Sequence, residues 1–334
     1  MKYKHFKQAL LFKVGSLIKF VMGKIIKAVK PFIYQNNSNF KLAVYQKWEE
    51  CGGSVVSLRP LEKYYERLSY HLDLPSLWQS SKEARLRFVE GASLRFDTFP
   101  DYLGYEVIPM VWDCWPKYVN NMARWFDKHH VRTAFFTSSQ TTDKMRELCP
   151  KVHIYHLPEA IETELYHAGK NLSDRSIDYL EFGRCNRILD SSNFDKSIKV
   201  LSSRNEATGL HTRAQLADAL ADSKITLALT RLDNQPELAD GIDTLTQRYW
   251  ECMLSGVVIL GRAPKELMDI IGYDPVVHLD KEHANEQILD ILAHIEDYQE
   301  LVDRNRKSAL EKGDWKLRIQ QMMEVLEGLG YECK

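Results

Sequence analysis

The sequence lacks the features that mark several common protein classes. Lysines interrupt every apolar run near the N-terminus, so nothing approaches the roughly 18 uninterrupted apolar residues of a membrane span. The six cysteines form no Cys-x-x-Cys pair, which leaves neither a zinc site nor a disulfide framework signalled. A Gly-x-Gly-x-x-Gly loop and a Walker A lysine loop are both absent, so simple dinucleotide and nucleoside-triphosphate sites lose support. We therefore expect a cytosolic protein with reduced thiols.

Composition and charge indicate a globular protein with a basic tip. The 334 residues, 44% of them hydrophobic, suffice for two domains of ordinary size. Net charge is only −1, but residues 1–30 hold eight lysines and no acid. Removing those eight lysines from the 45 basic residues leaves 37 against 46 acidic ones. This asymmetry predicts an anionic surface partner for the tip alone.

Residues 1–34 are predicted to form a basic amphipathic helix. Lysines fall opposite an apolar stripe at helical spacing, and Pro31 would end the helix. The stripe consists of Leu10, Leu11, Val14, Leu17, Ile18, Val21, Ile25 and Val29. Such a helix suits an anionic membrane interface, although the same stripe also suits packing against the protein's own body. No lysine-free core follows the basic start, so no cleaved signal peptide is expected. These patterns predict a cytoplasmic protein, peripheral at the inner face of the cytoplasmic membrane.

The rest of the chain alternates short apolar runs with helical patterns. Nine runs are candidate strands: 54–58, 105–112, 132–138, 152–157, 177–183, 197–202, 224–230, 256–261 and 275–279. Alternation of this kind predicts an α/β protein with parallel sheets covered on both faces. The number of strands favours two Rossmann-like, doubly wound domains facing a cleft, 40–168 and 169–334, the second ending in a helical tail. Ligands of such sheets bind at the carboxyl ends of the strands.

One short segment, "DTLTQRYWECMLSG" at 243–256, concentrates polar chemistry at the start of a predicted helix. With a helix beginning at or just after Asp243, the first turn holds Thr246, Gln247 and Arg248. Its N–H groups, its dipole and the arginine would favour a phosphate. Glu251, two turns on, is placed to accept both hydroxyls of a ribose. The pattern fits a phosphate-sugar site, but Asp243 as a helix cap and Glu251 as a solvated acid remain alternatives.

The same segment resembles the signature of group 1 glycosyltransferases of the GT-B fold, the class that includes family four. Their pattern is an acid, seven residues, then Glu, followed by Ala-Met-Ala-x-Gly and an apolar strand. Asp243 stands at the first acid, and "ECMLSG" provides Glu251 and the tail. The resemblance implies that Glu251 binds the donor ribose and that Asp243 contacts the donor sugar. Thr246 and Gln247 correspond to a Gly-Leu pair whose amides meet the diphosphate.

Three further segments match the family in the same order. "YLEFGR" (179–184) resembles the strand whose final arginine, here Arg184, reaches the donor phosphates. "HLPEAIETELY" (156–166) resembles the interdomain segment Pro-Asn-Gly-Val-Asp, with Glu159 in place of Asn. "VWDCWP" (111–116) resembles a first-domain loop Val-His-Asp-x-x-Pro that faces the reacting sugar. Asp113 matches its Asp, and a tryptophan replaces its His. The whole pattern looks most like a bacterial subgroup that builds cell-surface glycans.

The resemblance implies a glycosyltransferase that moves a sugar from a nucleoside-diphosphate sugar to a surface-glycan or lipid-linked acceptor. Residues 40–168 would form the acceptor domain and 169–334 the nucleotide-sugar domain. Arg184, Arg248 and the helix N-terminus would stabilise the leaving diphosphate, and Asp113 would lie near the reacting carbon. Retention of configuration is implied, no Asp-x-Asp metal motif is present, and neither a cofactor nor a nucleic-acid partner is expected. A nucleotide-sugar epimerase and a non-catalytic nucleotide-sugar-binding protein are the alternatives.

Overall fold

The structure, a computed structural model, describes residues 23–30, 40–58, 74–76, 78–183, 188–203 and 210–334. Its strands are β1 Lys24–Lys30, β2 Ser54–Ser57, β3 Glu83–Glu90, β4 Glu106–Trp112, β5 Thr133–Phe136, β6 His153–His156, β7 Ile177–Glu181, β8 Val200–Ser202, β9 Ser223–Ala228, β10 Val258–Gly261, β11 Val277–His278 and β12 Tyr331–Glu332. Its α-helices are α1 Phe40–Glu50, α2 Leu94–Asp97, α3 Pro116–Lys128, α4 Ser139–Leu148, α5 Arg213–Ala221, α6 Arg231–Asn234, α7 Pro236–Ala239, α8 Gln247–Ser255, α9 Lys265–Ile271, α10 Ala284–Ala293, α11 Gln299–Lys312 and α12 Trp315–Gly328.

The described strands form two parallel sheets, which confirms the predicted α/β class with two Rossmann-like domains. The first lobe has the strand order β12-β1-β3-β4-β5-β6, with β2 also paired to β1. The second lobe has the order β11-β10-β9-β7-β8. Helices cover both faces of each sheet, and each face has its own buried apolar cluster. Because all strands in a sheet run the same way, their carboxyl ends meet at one edge, where ligands of this architecture bind.

Nine predicted strands are present, but β3 was missed because its sequence hides the strand pattern. "EARLRFVE" carries two arginines in an otherwise apolar run. Arg87 is only 2% exposed, and its guanidinium lies 2.9 Å from the carboxylate of Asp101. Buried arginines are rare, so a hydropathy pattern that contains two of them argues against a buried strand. The pairing partner comes from a distant turn, so only the folded chain explains the strand.

The predicted N-terminal helix is wrong over residues 24–30. These residues form β1, which pairs with β2, β3 and β12. Ile26 and Val29 are buried in the first-lobe core. Lys24 and Lys27 pair with Glu106 at 2.6 Å and Glu83 at 2.8 Å, respectively. The apolar residues and lysines of this segment are therefore used by the sheet rather than by a lipid surface. Residues 1–22 lie outside the described residues, and for them membrane contact stays a prediction.

The tail of the chain corrects the predicted boundary of the second domain, 169–334. Helix α12 and strand β12 return to the first lobe, where Trp315, Met322 and Leu326 pack into the core beside Ile26 and Trp48. The second lobe therefore ends at α11. None of the helices in the described ranges is long and apolar enough to cross a membrane.

Two backbone crossings join the lobes side by side. The Ile161 N–H donates to the Gly313 carbonyl at 2.8 Å, and the Trp315 N–H donates to the Ile161 carbonyl at 3.1 Å. On the opposite side, Glu266 of α9 accepts the Ser139 N–H at the start of α4, at 2.5 Å. The Asp243 N–H donates to the Gln140 side chain at 2.6 Å. These contacts hold the carboxyl edges of the two sheets opposite each other, with a cleft between them.

Candidate functional site

The interlobe cleft has a volume of about 350 Å³, within the range of small-molecule sites. The first lobe lines it at the carboxyl ends of β3 and β4, and the second lobe at the ends of β9 and the start of α8. The lining residues are Glu90, Trp112, Asp113, Trp115, Glu159, Leu229, Arg231, Asn234, Gln235, Thr246, Gln247, Arg248 and Glu251. Counted from β7, the second sheet has the order 2-1-3-4-5, so the ligand crevice is expected between β7 and β9. The cleft lies beside that point.

Helix α8 begins at Gln247, later than the sequence pattern predicted. Its N-cap is Thr246, and the Thr246 side chain makes no capping hydrogen bond. The backbone N–H groups of the first turn therefore have no side-chain cap. They lie at the end of the helix that faces the cleft, where helix geometry favours an anion. Asp243 is not the cap. Thr246, Gln247 and Arg248, the predicted phosphate-binding residues, all line the cleft.

Arg248 is held in a defined place at the carboxyl end of β7. Its guanidinium carbon lies 4.6 Å from the centre of the Phe182 ring. Gly183 adopts a φ of +68°, and a Cβ placed on it would meet the Arg248 Nη2 atom at 1.7 Å. Glycine at this position therefore makes room for the arginine. Arg184, the other predicted phosphate-binding arginine, falls in 184–187, outside the described residues.

Glu251 lines the cleft one turn into α8, and a buried tyrosine orients it. The Tyr166 hydroxyl, on the segment that joins the lobes, donates to Glu251 Oε1 at 2.8 Å. Burial, together with the carboxylate of Glu251, raises the pKa of Tyr166, so the hydroxyl stays protonated across the physiological range and donates a hydrogen bond. A carboxylate fixed in this way keeps accepting positions for further donors, such as a pair of vicinal hydroxyls.

Asp243 is not brought into the cleft lining with the other predicted residues. The Arg262 guanidinium donates two hydrogen bonds to its carboxylate, 2.8 Å and 2.9 Å long. The same guanidinium also binds Asp233, at 2.8 Å and 3.0 Å. The pKa of Arg262 is raised, first of all by the hydrogen bond to Asp243. The network ties the loop before α8 to the end of β10, and a contact of Asp243 with a donor sugar stays a prediction.

Asp113 lies where β4 turns into α3, and its backbone is unusual for a residue other than glycine. Its φ is +48°, in the left-handed region that costs a non-glycine residue free energy. The N-cap of α3 is Trp115, so Asp113 does not cap that helix. The turn places an exposed Asp113 on the first-lobe wall of the cleft.

Glu159 was missed as a site residue, although it links both walls of the cleft. Its Oε1 accepts the Trp112 indole N–H at 2.9 Å and the Gln247 amide at 3.0 Å. Its carbonyl accepts the indole N–H of Trp250, at 2.9 Å. Burial, and after it the charge of Asp113, raises the pKa of Glu159 from 4.5 to about 8. The carboxyl is therefore protonated at neutral pH, and the only sequence signal was an acid where the family has Asn.

The raised pKa predicts how stability changes with pH. The folded protein binds the Glu159 proton more tightly than the unfolded chain, so this stability is present in acid and is lost as pH rises from 4.5 to about 8. Glu159→Gln keeps an acceptor for both hydrogen bonds and removes the ionisation. We expect the variant to exceed the wild type in unfolding free energy at pH 8.5 by a few kcal/mol, at about 1.4 kcal/mol per pKa unit, with little gain at pH 4.5. Urea unfolding at both pH values measures this.

The matched control is Glu147→Gln, at an exposed glutamate on α4. It should shift stability equally at both pH values. A gain from Glu159→Gln that does not depend on pH would contradict the raised pKa.

Arg231 is a second residue that the sequence did not single out. It follows β9, and its guanidinium carbon lies 5.2 Å from the centre of the Trp115 ring on the opposite lobe. Its Nη1 donates to Gln235 at 2.7 Å. The cleft thus has two cations beside the β7–β9 crevice: Arg248 at the carboxyl end of β7 and Arg231 after β9. The available signal was a basic residue directly after a buried strand.

Comparison with known proteins agrees with this architecture. Residues 187–324 match the model of a family described as glycosyl transferase-like. Sucrose-phosphate synthase from Thermosynechococcus elongatus is similar with a TM-score of 0.61 at 11% identity, over 92% of this chain and 99% of that one. HepE from Anabaena, solved in complex with UDP-glucose, gives 0.53 at 10% identity, over 91% and 99%. TarM gives 0.51 at 9%, over 72% of this chain and 54% of that one. No curated protein sequence matches the chain.

Identities this low show the fold alone, and the fold shared with the first two structures is GT-B. The residues that match the family model include β8 to β11 and α8, and α8 forms part of one wall of the cleft. The chain therefore has the GT-B fold, and its residues 187–324, less than half of its length, are similar to a family described as glycosyl transferase-like.

Proposed function

We propose that the protein transfers a glycosyl group from a nucleoside-diphosphate sugar in the cleft to a hydroxyl of an acceptor on the first lobe. One observation carries the proposal: Glu251, Arg248 and the N-terminus of α8 line the same cleft. The ribose needs an acceptor for its hydroxyls, and the diphosphate needs positive charge. The sugar needs room beyond the diphosphate. Along α8, Glu251 is placed for the ribose, and Arg248 and the helix N-terminus are placed for the diphosphate.

In this arrangement the ribose hydroxyls bond to Glu251, whose other contact is Tyr166. The diphosphate lies against Arg248 and the first N–H groups of α8. The sugar then extends toward Asp113 and Glu159 on the facing wall. Glu159, neutral at pH 7, adds a hydrogen-bonding group there without a second negative charge beside the diphosphate.

The reaction forms a bond from the acceptor hydroxyl oxygen to the anomeric carbon. The bond from that carbon to the diphosphate oxygen breaks, and its electron pair leaves with the nucleoside diphosphate. The hydroxyl enters on the face that the diphosphate leaves, so its proton passes to the departing diphosphate oxygen, and Asp113 lies near the reacting carbon. Charge on the departing diphosphate is stabilised by Arg248, Arg231 and the helix N-terminus, groups fixed before reaction. We further propose retention of configuration and no requirement for a metal ion, testable by the anomeric outcome and by activity in a chelator.

The donor class is supported by HepE, which was solved with UDP-glucose. UDP-glucose is therefore the first donor to assay, after a thermal-shift screen of UDP, GDP, ADP and CMP. For the acceptor we propose a surface glycan or a lipid-linked glycan. A position at the inner face of the cytoplasmic membrane is proposed with it, and that contact would fall to residues 1–22.

One assay tests the function. Radiolabelled nucleotide-sugars are incubated with the protein, with and without membrane extract. Label that reaches glycan or glycolipid only when the extract is present supports transfer. A changed sugar without any acceptor would point to an epimerase, and binding without turnover to a non-catalytic nucleotide-sugar-binding protein; either result would overturn the proposal.

A further inference from the structure

Arg262 follows β10, and its guanidinium joins three segments of the second lobe. It donates two hydrogen bonds to Asp243 in the loop before α8, and two more to Asp233 of α6. A further bond, 3.0 Å long, goes to the hydroxyl of Thr230, the N-cap of α6. We name these four residues the Arg262 brace. A planar guanidinium can bond several oxygens at once in this way, whereas a lysine ammonium cannot match the geometry.

The brace holds the turn that presents Arg231 to the cleft. Thr230 directly precedes Arg231, and Asp233 follows it by two residues. Arg231 lines the cleft, whereas Arg262 is not among the described residues that do so. The Asp233 carboxylate accepts the Thr230 N–H at 3.2 Å and the Thr230 hydroxyl at 3.0 Å, which closes the turn. Arg262 bonds to both oxygens of that carboxylate, and it therefore fixes the residues on either side of Arg231.

The side chain of Arg231 depends on such support because it reaches across the cleft. Its guanidinium carbon lies 5.2 Å from the centre of the Trp115 ring on the first lobe. Helix α6 has four residues, and a helix this short is not stable on its own. The direction of the Arg231 side chain therefore rests on contacts that hold α6 from outside.

Partial burial strengthens the brace. The side chains of Asp233 and Asp243 are each 18% exposed, and that of Arg262 is 34% exposed. Bidentate, charge-assisted hydrogen bonds with this much shielding exceed the small contribution of an exposed ion pair. Loss of the brace should therefore change the position of α6.

Helix α8 is attached to the same residue in a different way. The hydroxyl of Tyr249, a buried residue of α8, donates to the backbone carbonyl of Arg262. A substitution of the Arg262 side chain leaves that carbonyl in place. It should therefore affect Arg231 on α6 and spare Arg248 and Glu251 on α8.

We propose that Arg262 is a positioning residue for the transfer reaction, and that it fixes α6 so that Arg231 meets the diphosphate of the donor. Arg262 touches neither the donor nor the reacting carbon, and its contribution passes through Arg231. This inference rests on the proposed function, since Arg231 has a diphosphate to meet only if the cleft binds a nucleotide-sugar.

The test is a double-mutant cycle between the brace and Arg231, measured as the Kd for inorganic pyrophosphate by isothermal titration. Arg262→Met with Asp233→Asn removes the brace without changing its charge: one cation and two acids sum to −1, and Asp243 alone is also −1. This brace variant and Arg231→Ala should each weaken binding about tenfold, the loss expected for one charge-assisted hydrogen bond.

The combination of the brace variant with Arg231→Ala decides the test. We expect it to bind pyrophosphate about tenfold more weakly than the wild type, because the contact that the brace supports is already lost. A loss of about 100-fold would mean that the two sites act independently, and would overturn the proposal.

Further measurements separate positioning from a general loss of structure. In the brace variant the ratio of the UDP and pyrophosphate Kd values should equal that of the wild type, because Glu251 still contacts the ribose. Arg262→Lys, the milder variant, keeps the charge but not the bidentate geometry. It should lose part of the affinity, and this loss too should vanish when Arg231 is already alanine. Arg146→Met, at an exposed arginine paired with Asp143, is the control and should change neither Kd.

The outcomes distinguish the two proposals. If the wild type binds neither UDP nor pyrophosphate, the proposed function fails, and the role of Arg262 fails with it. If the wild type binds both ligands, and either the brace variant binds them equally well or the losses multiply, only the role of Arg262 is overturned.

Discussion

Glu251→Ala is expected to weaken UDP binding about 100-fold. Two hydrogen bonds from ribose hydroxyls to a carboxylate together account for about 3 kcal/mol, and 1.4 kcal/mol is a factor of ten in Kd. The Kd for inorganic pyrophosphate, which has no ribose, should stay unchanged. Isothermal titration with both ligands measures the two values on the same preparations.

Two further variants separate loss of the ribose contact from loss of structure. Truncating Glu251 also removes the acceptor of the buried Tyr166 hydroxyl, 2.8 Å away, so some stability will be lost. Glu251→Gln keeps an acceptor oxygen for that hydroxyl and should still weaken UDP binding, though less. Glu147→Ala, on an exposed face of α4, is the control and should bind as the wild type does. Equal loss of UDP and pyrophosphate would argue against a ribose at Glu251.

Arg248→Ala is expected to lower kcat about 100- to 1,000-fold. The guanidinium lies against Gly183 at the end of β7, where charge would develop on the leaving diphosphate. Removal of one fixed group that stabilises such charge costs roughly 3–4 kcal/mol in other enzymes, because the interaction strengthens in the transition state. Steady-state kinetics with UDP-glucose, the first donor to assay, measures kcat and KM separately.

The ligand pattern for Arg248 should differ from that for Glu251. Both UDP and pyrophosphate should bind Arg248→Ala more weakly, since each carries the diphosphate. Arg248→Lys keeps the charge but loses the planar stack on Phe182, 4.6 Å away, and should recover only part of kcat. Arg146→Ala, at an exposed arginine paired with Asp143, is the matched control. A rise in KM with kcat intact would mean that Arg248 holds substrate and transition state equally.

Local patterns predicted much of the second lobe. Its strands are apolar runs bounded by polar loops, and its helices follow the expected spacing, so β7 to β11 and α8 appear close to where the sequence places them. The segment around α8 also predicted which side chains meet at the cleft, because Thr246 to Glu251 occupy consecutive turns of one helix. Helix geometry alone fixes such neighbours.

The errors came from residues whose partners are far away in sequence. β1 has both a helical stripe and a strand's β-branched residues, and only pairing with β3 and salt bridges to Glu83 and Glu106 decide between them. Asp243, whose contact with a donor sugar stays a prediction, has a partner that the sequence did not indicate: Arg262 holds its carboxylate from the end of another strand. In the sequence, Glu159 is only a replacement of the family's Asn. The fold shows that Trp112 and Gln247 donate hydrogen bonds to its carboxyl group.

The sequence by itself determined the α/β class, the two sheets and the composition of the donor helix, because these depend on periodicity and on spacing within single elements. Tertiary structure alone decided the route of the N-terminal strand, the return of α12 to the first lobe and the ionisation of Glu159. Those features depend on burial and on charges from distant segments, and the pKa of a carboxyl follows its surroundings rather than its neighbours in the chain.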